Sequence, residues 1–443
     1  MPLPLSMPDM KTVQPCPKLS GTLVVPGDKS ISHRVGLLAS ISSGISRIHG
    51  FLDSADCVGL LKAMDALGSR HYSRNDVLYI HGNGGRLLAP VGPLDLGNSG
   101  TAMRLLAGLL AGFDVPVTLT GDASLCSRPM RRIAEPLRRM GADIQLTGDR
   151  GCAPLTICGG HVQGIEYEMP VASAQVKSAV MLAALFAEGS TTVIEPAPTR
   201  DHTENIFKQL QLPVTVDGCR IIVDGLGASG SQLKAMEWQI PGDISSAAFW
   251  MVAAAAHRRG SVTLKDVGLN PRRSAVIDVL RRMGARIKVT PKKSLAAGEP
   301  VGEVRVSGSR LKGTVIGGEE IPALIDEIPI LAVAGAFAEG ETVIKDAQEL
   351  RVKESDRIRV MCENLAQQGV DVEEMEDGMR IQGPAVLQPG TAADSFGDHR
   401  VAMAMAVLGL CGGHPLTIQR VECIETSYPG FWEDVVTLGG RVE

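Results

Sequence analysis

One pattern recurs six times along this 443-residue chain and constrains its fold more than any other feature. It is an apolar stretch of helical length, a glycine, then a short strand alternating polar and apolar residues. The glycines are Gly44, Gly112, Gly189, Gly260, Gly340 and Gly413, spaced 68, 77, 71, 80 and 73 residues apart. Each is read as the stop of the helix before it. A second signature follows within each repeat, a helix ending in Leu-Gly or its equivalent before another strand. Leu137–Ala142 and Leu280–Ala285 are near copies. Leu67-Gly68, Gln368-Gly369 and Leu438-Gly439 are weaker ones, and 210–214 is the degenerate member. Units of about 70 residues are too long for an open solenoid, whose repeats run to about 45. The six therefore predict two lobes of three units, dividing near Pro241.

Fourteen residues before each glycine stands a polar residue: Ser30, Asn98, Gln175, Ser246, Asp326 and His399. Each falls at the first turn of an apolar helix. Capping of free backbone N–H groups accounts for Ser246 and Asp243. It does not account for Lys29, Arg34, Arg104, Lys177 and Arg400, cations at helix ends whose dipole disfavours them. A bound anion resolves that conflict. Loops after the repeated strands add Arg128, Arg200, Arg272, Arg273, Arg351, Lys353, Glu354, Arg357 and Glu425. Within Arg351–Arg357 the competing reading is a solvated helical face, with Glu354 and Arg357 three residues apart. Cations together with two carboxylates, Asp326 and Glu354, point to proton transfer on anionic substrates by a transferase or lyase.

Composition excludes several alternatives. The net charge is −5 and there are only 15 aromatic residues, which argues against nucleic-acid binding. The nine cysteines show no paired spacing and no Cys-x-x-Cys, so neither a disulfide framework nor a metal site is expected, and a cytoplasmic location fits. His33, His49, His71, His81, His161 and His257 follow no ligand spacing either. Residues 1–18 carry no basic head followed by an apolar run, and the longest apolar runs are about half of a membrane span.

Four segments carry a more specific likeness. Pro26–Arg34, Leu96–Arg104, Arg351–Arg357 and Asp398–Arg400 resemble the 5-enolpyruvylshikimate-3-phosphate synthase family, in order and over essentially the whole chain. Pro170–Ala179 and Pro198–Glu204 resemble its class II branch. The resemblance implies an α/β fold of two inverse α/β barrel domains with six pseudo-symmetric helix/strand repeats, three per domain. The domains would be 25–241, and 1–24 with 242–443, with the active site in the cleft between them. It implies transfer of the enolpyruvyl group of phosphoenolpyruvate to the 5-hydroxyl of shikimate 3-phosphate by addition and elimination, by a monomer with no cofactor.

The same resemblance implies site roles. Lys29, Ser30, Arg34, Ser173, Ala174, Gln175, Arg200, Asp326 and Lys353 would hold shikimate 3-phosphate. Lys29, Asn98, Gly100, Arg128, Gln175, Arg357 and Arg400 would hold phosphoenolpyruvate. Asp326 would accept the hydroxyl proton, and Glu354, with Lys29 as its rival, would protonate the methylene carbon. Ala174 departs from relatives that have a second serine there, with Arg200 compensating, and Glu425 departs from a lysine. Gly100 is the small residue associated with glyphosate binding. Two readings compete: a UDP-N-acetylglucosamine enolpyruvyltransferase, for which Cys126 would be the loop thiol, and a non-catalytic repeat scaffold that binds phosphorylated ligands.

Overall fold

The computed structural model describes residues 9–227 and 233–443. The reading of residues 1–18 thus falls partly on residues 1–8, outside the described residues. Six helices begin the repeats: α1 (Lys29–Ile41), α2 (Gly100–Leu110), α3 (Ala174–Ala184), α4 (Ile244–Ala256), α5 (Ile328–Phe337) and α6 (His399–Cys411). Six strands follow them: β1 (Ser43–His49), β2 (Val117–Thr120), β3 (Ser190–Ile194), β4 (Ser261–Gly268), β5 (Gly340–Ile344) and β6 (Leu416–Gln419).

Burial explains how these parts are layered. Every residue of α4 from Ile244 to Ala255 and of α6 from His399 to Leu410 is buried. A helix apolar on all sides has to be surrounded. The strands alternate instead: β2 buries Val117 and Leu119 and leaves Thr118 and Thr120 half-exposed. Helices therefore fill the interior and each sheet turns one face outward, the inverse of a strand barrel. Among the described residues there are six sheets, each four-stranded and in one order: a parallel strand, the repeat strand, then two antiparallel strands. Each keeps two edge strands, so none closes on itself. Closure would serve to cover a sheet's own interior, and here the helices already occupy it.

The chain forms two compact units. One comprises Gly27–Pro241 with Ser294–Pro300; the other comprises 9–26, Gly242–Lys293 and Val301–Glu443. Two strands are exchanged to achieve this. Ser20–Val24 pairs in parallel with β4, completing the fourth sheet, and Glu237–Gln239 pairs in parallel with β1, completing the first. The segment Ser294–Pro300 departs from the expected division. It groups with the first unit, where Glu299 is buried against His202 (2.7 Å) and Asn205 (3.2 Å).

The helix stops differ from expectation. α1 ends at Ser42, α3 at Leu185 and α5 at Ala338, ahead of the recurring glycines. Gly112 is instead demanded by close approach, since a Cβ there would lie 2.4 Å from the Phe186 ring. The left-handed helix stop belongs to the second signature: Gly68, Gly141, Gly284, Gly369 and Gly439 all have φ between +82° and +111°. Each sends its N–H back to the helix, as Gly141 does to Arg138 O at 3.0 Å and Ala142 to Leu137 O at 3.1 Å. In the degenerate repeat Gln211 takes the same place at φ +57°, with Gln211 N to Lys208 O at 3.0 Å and Leu212 N to Phe207 O at 2.8 Å.

Candidate functional site

The caps of the repeat helices are the neighbours of the six polar positions. Asp28, Ser99, Ser173, Asp243 and Asp398 accept backbone N–H groups of α1, α2, α3, α4 and α6. Ser246 lies inside α4 and is no cap, and Glu327, at the cap of α5, makes no side-chain cap bond. Ser30, Asn98, Gln175 and Asp326 are thereby released from capping for other work.

In the unit of Gly27–Pro241 the starts of α1, α2 and α3 meet. His33 of α1 reaches the Ser99 hydroxyl at 3.2 Å, and Arg34 donates Nη2 to Ser178 of α3 at 2.7 Å. Gln175 of α3 accepts from Arg104 and donates to Thr101 of α2 at 2.9 Å. Asn98 donates to Asp122 (2.7 Å) and receives Arg128, whose other nitrogen lies 3.3 Å from Asn98 O. A Cβ on Gly100 would sit 3.1 Å from Arg104 Nη1 and 3.3 Å from Arg128 Nη1. Lys29 is paired with Asp56 at 3.1 Å. Ser173 and Ala174 open α3 beside these groups, and Ser30 lends its carbonyl to Arg34 at 2.9 Å.

Electrostatics mark two of these groups. Arg34 is buried, which lowers its pKa to about 10; Glu204 pulls it upward and the charge of the half-buried Arg200 pushes it down again. Burial lowers His33 to about 4. Lys177 is the exception among the expected anion-seeking cations. It is wholly buried between Glu195 (3.0 Å) and Glu204 (2.7 Å), so its charge serves the interior. Cys126 donates to Gly121 O at 3.4 Å as a packed thiol.

The second unit gathers its own set at the starts of α4, α5 and α6. Asp326, two residues before α5, lies 3.4 Å from Arg357, 3.8 Å from Arg400 and 3.9 Å from Arg273. Arg357 is only 1% exposed, which overturns the solvated-face reading of its segment. Its Nε meets Asp398 at 2.8 Å and its Nη2 meets Glu354 at 2.6 Å. Burial works against this guanidinium, but Asp398, Glu354 and Asp326 outweigh it and hold its pKa above the ordinary arginine value. Arg400 donates to the Asp326 carbonyl at 2.9 Å. Arg351 is consumed locally by Asp356, Glu374 and two backbone carbonyls. Lys353 is half-buried beside Glu354, and Glu425 is exposed.

Sequence reasoning passed over Asp56, Asp122 and Glu327. No repeat position or motif marks them; they become visible only as partners of Lys29, of Asn98, and of Ser245 and Arg273. Among the described residues no group of His, Cys, Asp and Glu side chains is arranged to hold a metal ion.

The chain and its fold have counterparts among known proteins. The family model described as EPSP synthase (3-phosphoshikimate 1-carboxyvinyltransferase) matches residues 13–435. The chain belongs to the EPSP synthase family. A relative from Akkermansia muciniphila named 3-phosphoshikimate 1-carboxyvinyltransferase is 50% identical over 427 residues, covering 94% of this chain and 97% of that protein. A solved EPSP synthase from Acinetobacter baumannii is 42% identical with a TM-score of 0.86, covering 98% of this chain and all of that one. The enolpyruvyl transferase NikO from Streptomyces tendae, 17% identical, shares the fold with a TM-score of 0.79 over 99% of both chains. As an EPSP synthase family member the chain is a transferase, and the six-repeat reading agrees with the fold of its neighbours.

Proposed function

We propose that this chain is a 3-phosphoshikimate 1-carboxyvinyltransferase, moving the enolpyruvyl group of phosphoenolpyruvate onto the 5-hydroxyl of shikimate 3-phosphate and releasing phosphate. The observation that carries the assignment is Asp326: a carboxylate at the start of a buried helix, facing three guanidinium groups within 3.9 Å, in a chain of this family. Such a carboxylate is suited to accept a hydroxyl proton, while the surrounding cations suit anionic substrates.

In the proposed sequence, the 5-hydroxyl gives its proton to Asp326 as its oxygen bonds to the central carbon of phosphoenolpyruvate. Glu354, or Lys29 in its place, protonates the methylene carbon, giving a tetrahedral adduct. The same group, now the base, takes a proton back from the methyl group as the carbon–oxygen bond to phosphate breaks, which re-forms the double bond as the vinyl ether of the product and frees phosphate. Lys29, Ser30, Arg34, Ser173, Ala174, Gln175, Arg200 and Lys353 are assigned to shikimate 3-phosphate. Asn98, Gly100, Arg128, Gln175, Arg357 and Arg400 are assigned to phosphoenolpyruvate. Acid–base chemistry suffices for every step, so the reading uses neither a metal nor an organic cofactor.

The site of action is assigned to the cytoplasm, which suits nine cysteines that are all free thiols. No helix among the described residues is long and apolar enough to cross a membrane. The active species is assigned as a single chain; sedimentation at a mass well above 46.8 kDa would contradict that.

The test is phosphate release from shikimate 3-phosphate plus phosphoenolpyruvate. Asp326→Asn and Glu354→Gln should each lower kcat by about 10²–10⁴. Release that needs UDP-N-acetylglucosamine as acceptor instead would overturn the assignment.

A further inference from the structure

Three buried charges stand behind the helix starts of the first unit, and no step above uses them. Lys177 on α3 is completely buried, where an unpaired ammonium would be very costly. Its Nζ lies 3.0 Å from Glu195 Oε2 and 2.7 Å from Glu204 Oε1. The other oxygen of Glu195 accepts the backbone N–H of Thr199 at 3.2 Å and also the Thr199 hydroxyl. The turn from 195 to 199 is thus closed around a buried carboxylate, and Arg200 is the next residue.

A second bridge lies one residue later on α3 and one residue before Glu204. Arg34 donates Nε to Thr203 (2.8 Å) and Nη2 to Ser178 (2.7 Å), and the Thr203 hydroxyl donates to Ser178 at 2.7 Å. Arg34 and Arg200 act on one another as like charges, while Glu204, Asp28 and Glu299 favour the charged form of Arg34. Two like charges held together by a buried framework make a seat for a doubly charged oxyanion.

We propose that Glu195 is a positioning residue: clamped by Lys177, it sets the Thr199 turn so that Arg200 stands beside Arg34 to receive the phosphate of the acceptor substrate. The proposal rests on the functional reading above, and it replaces the missing second serine at Ala174 with a cation whose loop is fixed from inside the protein.

The signature that separates positioning from plain structural support is phosphate dependence. In Glu195→Gln, KM for shikimate 3-phosphate should rise about tenfold, with kcat and the KM for phosphoenolpyruvate within about twofold. The dissociation constant for shikimate, which lacks the phosphate, should not change. Adding Glu195→Gln to Arg200→Ala should cost little beyond Arg200→Ala alone. If Glu195→Gln shows no cooperative unfolding, the pair Thr199→Val and Thr199→Ser decides. Valine, which loses the hydroxyl bond, should raise the same KM, and serine, which keeps it, should not. Equal losses for shikimate and shikimate 3-phosphate, full additivity with Arg200→Ala, or a Thr199→Val enzyme like wild type would overturn the proposal alone. A wild-type chain that releases no phosphate from the two substrates would overturn the functional reading and this proposal with it.

Discussion

Arg357 and Asp398 form a two-point ion pair wholly inside the protein, Nε to Oδ2 at 2.8 Å and Nη2 to Oδ1 at 3.3 Å. Asp398 also accepts the Arg400 N–H at 2.9 Å, so one carboxylate fixes two guanidinium-bearing segments. Asp398→Asn keeps an N-cap but removes the charge opposite a buried arginine. Breaking a buried pair from one side costs about 3–5 kcal/mol. Denaturant unfolding should show that loss. A change below about 1 kcal/mol would mean that Glu354 and Asp326 already neutralise Arg357.

Gly100 is where a single methyl should be felt at the ligand rather than in the fold. The neighbours of a Cβ there are guanidinium tips at 3.1 and 3.3 Å, which can swing, not backbone, which cannot. Gly100→Ala should therefore leave the melting temperature within a few degrees. It should displace Arg104 and Arg128 and raise the glyphosate inhibition constant by about tenfold or more, with a smaller rise in KM for phosphoenolpyruvate. Unchanged inhibition would remove Gly100 from the proposed pocket.

His33 makes a sharp claim about pH. Burial lowers its pKa from 6.5 to about 4, and it sits between Lys29 O at 2.7 Å and the Ser99 hydroxyl at 3.2 Å. A neutral ring with hydrogen on Nδ1 satisfies both contacts. On acidification the unfolded chain takes up its proton near 6.5, while the folded chain resists until about 4. Stability from this group is therefore complete above pH 6.5 and falls as pH drops toward 4, by on the order of 3 kcal/mol. Unfolding midpoints of His33→Gln should vary less across that window than those of the wild type.

Gln211 occupies a left-handed position that five other repeats give to glycine. Its side chain is exposed, so its replacement forfeits little packing. Gln211→Gly should stabilise the chain by about 0.5–1 kcal/mol, and Gly141→Gln should destabilise it by at least about 1 kcal/mol. Denaturant midpoints of the two variants moving in the same direction would contradict the assignment of these positions as equivalent helix stops.

Much of the fold could be read from the chain because repetition amplifies weak signals. One glycine at the end of a helical pattern means little, but five of them and a degenerate sixth member, at a spacing near 70 residues, define a unit. The same repetition misled in one respect. The glycine before each repeat strand reads as a helix stop, yet Gly112 is there because Phe186, 74 residues away, leaves no room for a side chain. Likewise the six polar positions stand at a fixed count before each glycine, but their roles depend on neighbours that take over the capping. Lys177 illustrates the opposite limit. It reads as one more cation near a helix start, and only its neighbours Glu195 and Glu204, from a loop and a following helix, show it to be interior.

Local order in the chain was enough to set the helix and strand periods, the sixfold count, the surplus of cations at helix starts and the family, since each depends on residues a few places apart or on motifs kept in sequence. Tertiary structure alone decided which strands change sheets, which cations face a carboxylate in the interior, and which carboxylate stands among three guanidinium groups. Those outcomes turn on contacts between residues tens to hundreds of positions apart, where distance and burial set the energy and no local pattern records them.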